Sequence, residues 1–131
     1  KKEAEIVKTK KTYLSIDDIL AADDRPFVDV HVPEWGGYVR VAPMTGRDRT
    51  KMEMAISKFG PDGSIVGYKM DRFRELVVAY SVVDEEGERL FTDDQISVLS
   101  ERSSVALDRV AEVAQRVNKL SEDDLGELAK N

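Results

Sequence analysis

Cysteine is absent from this chain of 131 residues, which removes disulfides, thiolate metal sites and cysteine nucleophiles together. That absence agrees with a reducing compartment. Histidine occurs once, as His31, and tryptophan once, as Trp35. A zinc site or an acid–base triad needs partners for His31, and no second histidine and no thiol exists to supply them. No apolar run approaches the ~20 residues that cross a bilayer, and the opening residues do not read as a signal peptide. Neither G-x-x-x-x-G-K-[ST] nor G-x-G-x-x-G occurs, so no phosphate cradle is expected. Glycine (8) and proline (4) are too sparse for a low-complexity linker, and the length fits one domain. A domain of this size buries roughly two-thirds of its unfolded surface. The chain opens on Lys1 rather than Met, as numbering that begins inside the natural product or after a tag does.

Charge is what the chain has in plenty: 35% of residues, against ~25% in a typical domain, with a net charge of −6. Five lysines against two glutamates give residues 1–12 a charge of +3, so the remainder carries −9. An acidic body repels a phosphate backbone, and no nucleic-acid partner is expected. Residues 1–13 read as a solvated basic arm. The carboxylates have structural explanations too. Asp84-Glu85-Glu86-Gly87-Glu88 lacks the alternating ligands and distal Glu of a calcium loop. Asp93-Asp94 and Asp123-Asp124 sit at helix starts, where the helix dipole favours negative charge. No catalytic residue, metal ligand or cofactor is assigned.

The periodicities predict an α+β domain over residues 14–120, an N-terminal antiparallel β-hairpin packed on a mainly α-helical bundle. Ser15 caps a short helix Ile16–Ala22, too short to stand alone, which should dock through Ile16, Ile19 and Leu20. Val28, Val30 and Val32 alternate with Asp29 and His31; after Pro33–Gly37, Val39 and Val41 alternate in phase, which reads as a hairpin. Thr45 caps a helix over Gly46–Phe59 with a stripe of Met52, Ala55, Ile56 and Phe59, and Gly60–Ser64 breaks the chain. A second helix is expected from Lys69 to Val82. Its apolar run Leu76–Val83 also suits a strand, and the spacing back into Arg72–Glu75 favours helix. An acidic turn follows at Asp84–Glu88. Thr92 opens a short helix to Leu99, and Ser100 or Ser103 caps the most amphipathic helix, with Ala106, Val110, Val113, Ala114 and Val117 on one face. That stripe serves a helix-mediated homo-oligomer as readily as a core. Residues 121–131 form an acidic last helix, Glu122–Ala129, or a tail.

With chemistry excluded, the surface is left to act, and the candidate partner-binding residues are Trp35, Tyr38, Met52 and Met54. Trp35 and Tyr38 flank the hairpin tip, and aromatic anchors dominate interface hot spots. The competing reading has Trp35 folded back onto the core. Met44, Met52, Met54 and Met70 cluster mid-chain, and flexible methionines suit adaptable grooves, although core filling is their commoner use.

The order of these features resembles a known family. Leu14–Leu20, the hairpin Val30–Val41, the segment Met44-Thr45-Gly46-Arg47-Asp48-Arg49 and the run Val82–Phe91 follow one another as in the tail assembly chaperones of long-tailed bacteriophages and prophages, especially those of actinobacterial hosts. The resemblance spans roughly residues 14–120. It implies a non-catalytic protein without cofactor. Its partners would be the tape-measure protein and the tail tube protein, met in the host cytoplasm during assembly, and it would be missing from the mature virion. A longer form made by translational frameshifting is common in that family, and the end at Lys130-Asn131 suits the shorter form. A structural head–tail or tail-tube component of the virion is the alternative from another class.

Overall fold

The computed structural model describes residues 11–120. Most of the basic arm and the expected helix Glu122–Ala129 lie outside these residues. The fold is α+β. A three-stranded antiparallel sheet has the order β1 (Val28–Val32), β2 (Gly37–Val41) and β5 (Val82–Val83). A separate hairpin pairs β3 (Ser57–Phe59) with β4 (Ile65–Tyr68). The helices are α1 (Ile16–Ala21), α2 (Gly46–Ile56), α3 (Phe73–Ser81), α4 (Ile96–Leu99) and α5 (Ser104–Val117), with 3-10 turns at Pro33–Trp35 and Asp93–Gln95.

The expected hairpin forms in the expected phase. Val30 pairs with Val39 and Val28 with Val41, so the valines share one face, while Asp29 pairs with Arg40 and His31 with Tyr38 on the other. A lone hairpin of this kind is marginal in water. Here α5 lies across the valine face and packs along α3, which in turn meets α2. Val32, Val41, Met52, Val77, Val78, Leu107 and Val110 are fully buried in the resulting core. At about 25 cal/mol per Å², each such side chain contributes roughly 1.5–3 kcal/mol of transfer free energy.

The apolar run Leu76–Val83 resolves into both structures that its composition suits. It stays helical to Ser81 and continues without a connecting residue into β5, which pairs Val82 with Val41 and Val83 with Arg40. Helix α3 begins at Phe73 rather than Lys69. The Lys69 N–H is already given to the Ile56 carbonyl at 2.6 Å, which prolongs the β3–β4 ladder.

Three further expectations are corrected. Helix α2 ends at Ile56, and the predicted Ser57–Phe59 turn of it is strand. Gly60–Ser64 is thus a hairpin turn, closed by the Gly60 N–H on the Ser64 carbonyl at 2.8 Å, with Gly63 at φ +85° and Asp62 Oδ1 accepting from the Ser64 N–H at 3.1 Å. Of the α2 stripe, Met52 and Ile56 are buried, whereas Ala55 and Phe59 are exposed. Helix α1 forms on its Ser15 cap, one residue shorter than expected, but none of its residues is buried. Ile16, Ile19 and Leu20 stay exposed instead of docking on the other described residues.

The remaining local readings hold. Asp84 Oδ1 accepts from the N–H groups of Glu86 and Glu88 at 2.9 and 3.0 Å, with Gly87 at φ +85°, which makes the acidic stretch a tight turn. The Thr92 N–H donates to Gln95 Oε1 at 2.9 Å. Ser103, of the two candidates, caps α5 by accepting from the Ala106 N–H at 3.2 Å. At its other end α5 stops on Lys119 at φ +60°, where the Leu120 N–H reaches the Gln115 carbonyl at 2.8 Å. A non-glycine residue in that conformation is uncommon.

Just before that stop, Asn118 joins three elements. Its Oδ1 accepts from the Met44 N–H at 2.7 Å, and its Nδ2 donates to Ser81 Oγ at 3.0 Å and to the Ala114 carbonyl at 2.8 Å. Asn118→Ala is expected to lower unfolding stability by about 1–3 kcal/mol, because it leaves the Met44 N–H without this partner; urea denaturation measures it.

A second cluster ties α3 to the turn before α4. The Arg89 guanidinium lies 4.0 Å from the Tyr80 ring centroid and donates to Asp93 Oδ1 at 2.9 Å, Tyr80 Oη donates to the same oxygen at 3.2 Å, and Lys51 Nζ is 3.5 Å from Asp93 Oδ2. The Arg89 hydrogen bond, with the charges of Arg89 and Lys51, holds the Asp93 carboxyl below its ordinary 3.8. A lowered carboxylate pKa adds stability that is present above 3.8 and is lost as pH falls through the folded value. The stability gap between the native chain and Asp93→Asn should therefore narrow from about pH 5 toward about pH 2, as thermal melts across that range would record.

Candidate protein-binding surface

Among the described residues, the surfaces open to a partner include the outer face of the sheet and the groove between α3 and α5. On the outer face the side chains come in cross-strand pairs, a consequence of the two-residue period of the hairpin. Arg40 Nε donates to Asp29 Oδ1 at 3.0 Å, and its guanidinium stacks 3.7 Å from the centroid of the Phe27 ring. Hydrogen bonding to Asp29 raises the Arg40 pKa further above its ordinary value. His31 and Tyr38 place their ring centroids 4.9 Å apart, inclined by 39°. Beside these pairs lies a cavity of about 330 Å³ bounded by Tyr38, Val39, Val83 and Leu90.

The α3–α5 groove encloses about 460 Å³ between Arg74, Val105, Asp108, Arg109 and Glu112. Arg74 reaches Asp108 at 2.8 Å, and Arg109 reaches Glu34 of the hairpin turn at 2.8 Å. The Glu34 carboxyl sits below its ordinary value, first through its own backbone N–H and then through Arg109. Ion pairs stand on both surfaces, Arg40–Asp29 on the sheet and Arg74–Asp108 beside the α3–α5 groove, and the sheet cavity is bounded by Asp84 and Glu85 as well. Exposed pairs of this kind add ~0–1 kcal/mol each and set orientation more than affinity.

His31 stands on the exposed side of β1 as expected, with the Tyr38 ring beside it and the Glu34 carboxylate within electrostatic reach. Among the described residues no group of three His, Cys, Asp or Glu side chains converges in a way that could hold a metal ion. Among them also, no helix is long and apolar enough to cross a membrane.

The four candidate residues do not form one patch. Tyr38 is 71% exposed on β2 and Met54 is 50% exposed on α2. Trp35 is half-buried and packs against the core, which is the competing reading given above. Met52 has no exposed surface at all and is corrected from a surface residue to a core one. The reason is helical geometry: Met52 lies four residues before Ile56 on the inward face of α2, and Met54 falls on the outward one. The larger omission is apolar surface around α1 and Phe27. Tyr13, Leu14, Ile16, Ile19, Leu20 and Phe27 are all exposed. The 3.6 spacing of α1 carries that signal, but the spacing does not distinguish contact with the chain's own body from an open face.

Met52→Ala should cost about 2–5 kcal/mol of stability as a core truncation. Met54→Ala and Tyr38→Ala should each stay within about 0.5 kcal/mol. Denaturant titration of the three variants separates core from surface.

The sequence matches no protein-family model and no curated protein. Among solved structures, the fold is similar to that of the bacteriophage HK97 tail assembly chaperone, with a TM-score of 0.50 over 82% of this chain and 93% of that one. Sequence identity across the match is 13%, so what the two share is the fold.

Proposed function

We propose that this chain is a non-catalytic tail assembly chaperone, which binds the tape-measure protein in the host cytoplasm and keeps it soluble while the tail tube forms. The observation that carries the reading is the fold likeness to the HK97 chaperone, which runs through 93% of that protein. The order of motifs along the sequence leads to the same family by a separate route. The surface described above supports it as well: exposed ion pairs and aromatic pairs suit recognition. An acidic body of net −9 beyond residue 12 also remains soluble beside an aggregation-prone client. The tail tube protein is a second proposed partner. The narrowing to actinobacterial phages rests on the sequence texture alone.

Co-expression with the tape-measure protein encoded in the same phage or prophage tests this. The expected outcome is co-purification and a several-fold rise in soluble tape-measure protein. Absence of both overturns the proposal. Mass spectrometry of purified particles should find no stoichiometric copy of this chain; finding one would assign it instead to the structural components of the virion.

A further inference from the structure

Strand β1 lies at the edge of the three-stranded sheet, and the hydrogen bonds of β2 decide which of its backbone groups face outward. The Ala42 N–H donates to the Ser81 carbonyl at 2.9 Å, in step with the pairing of Arg40 to Val83. Antiparallel ladders alternate, so Ala42 and Arg40 bond toward β5, while Val41, Val39 and Gly37 bond toward β1. Their partners in β1 are Val28, Val30 and Val32. Asp29 and His31 therefore turn their N–H and C=O groups outward, and no described strand takes them up. Both side chains stand on the exposed face of the sheet. An edge of this kind is a template for a further strand, and its side chains restrict what can pair with it.

The residues of β1 are complementary to themselves. Val28-Asp29-Val30-His31-Val32 reads alike from both ends, except that an acid on one side of Val30 answers an imidazole on the other. We infer that β1 pairs antiparallel with β1 of a second copy, about a two-fold axis through Val30, and joins the two three-stranded sheets into one. In that register Val30 faces the partner's Val30, and Asp29 faces the partner's His31 on both sides of the axis. The outward groups of Asp29 and His31 then exchange N–H···O=C bonds, so the backbone alternation agrees with the side-chain match. The neighbouring symmetric registers fail. One sets Asp29 against the partner's Asp29, and the other sets it against the partner's Pro33, which has no N–H. On the inner face Val28 is 40% exposed, and the partner's Val32 lies opposite it. Formal charges around the edge cancel, Arg40 against Asp29 and Arg109 against Glu34, so the net −6 of each chain is not concentrated there. The strand offers 5 residues, against about 20–30 a side in a standard interface, so the dimer is weak and concentration-dependent. This surface is separate from the client reading above and does not depend on it.

Sedimentation equilibrium of the full 131-residue chain, from about 10 μM to about 1 mM, should show monomer and dimer in exchange. Amide hydrogen exchange adds a reading that needs no variant. The Asp29 and His31 N–H groups should exchange more slowly as concentration rises, and the Val30 N–H, already in the β1–β2 ladder, should change far less. His31→Asp places like charges opposite each other on both sides of the axis. It should weaken the dimer at least about tenfold, with the Tm of the dilute monomer unchanged. The double variant Asp29→His, His31→Asp restores unlike pairs and should recover most of the lost affinity, which a merely structural role for either residue would not produce. A monomer throughout the range overturns the inference. So does a dimer that tolerates His31→Asp, that the double variant fails to recover, or that leaves the Asp29 and His31 amides exchanging freely. Slow exchange of those two amides at every concentration would place the chain's own residues on this edge, and overturns it as well. Should His31→Asp lower the Tm, the concentration dependence of the two amides in the native chain decides alone.

Discussion

The hydrogen bond between Asn118 and Ser81 holds the parts of this fold in register. Ser81 ends α3 and is fully buried; its carbonyl accepts from the Ala42 N–H at the end of β2, and its hydroxyl accepts from Asn118 at the end of α5. Asn118 in turn fixes Met44, at the entrance to α2. A helix that passes directly into a strand has no loop to absorb error, so the pairing of β5 with β2 depends on where α3 stops. A polar group this deep is costly unless it is satisfied. Satisfied, it sets the one position in which α3, α5 and the sheet fit together.

Around that centre, polarity is distributed by the periods of the elements. The two-residue period of the hairpin puts Val30, Val32 and Val41 inside and the pairs Asp29–Arg40 and His31–Tyr38 outside. The helical period of α5 turns Ala106, Val110 and Ala114 inward and leaves Asp108 and Glu112 to solvent. The outcome is an acidic surface with exposed ion pairs, interrupted by apolar side chains around α1 and on the β3–β4 hairpin. Recognition of a protein client needs such a break in an otherwise well-solvated coat.

Most of this was legible in the residues. The alternation of Val28 to Val32 and Val39 to Val41, the caps at Ser15, Thr45 and Ser103 and the acidic turn at Asp84 all form as their local chemistry directs. The β3–β4 hairpin was not legible, because Ser57-Lys58-Phe59 continues the helical stripe of α2 and its strand character appears only against Ile65–Tyr68. The run Leu76–Val83 was ambiguous for a physical reason: a segment buried on all sides carries no periodicity to read. For the surface, periodicity showed that Met52 and Ile16 belong to apolar faces. It could not show that one of those faces turns inward and the other stays open.

The connections to α5 span much of the chain. Its Arg109 meets Glu34 across 75 residues, and its Asn118 meets Met44 across 74. The valine face of the first hairpin is covered by α5, so it cannot be closed until that helix has been made. At about 5–20 residues per second of synthesis, several seconds separate the emergence of β1 from that of its cover. During this interval the nascent chain carries an open valine sheet alongside the uncovered α1. A protein proposed to shelter another's apolar surface therefore begins by leaving its own unsheltered, and closes its first hairpin only after α5 has been made.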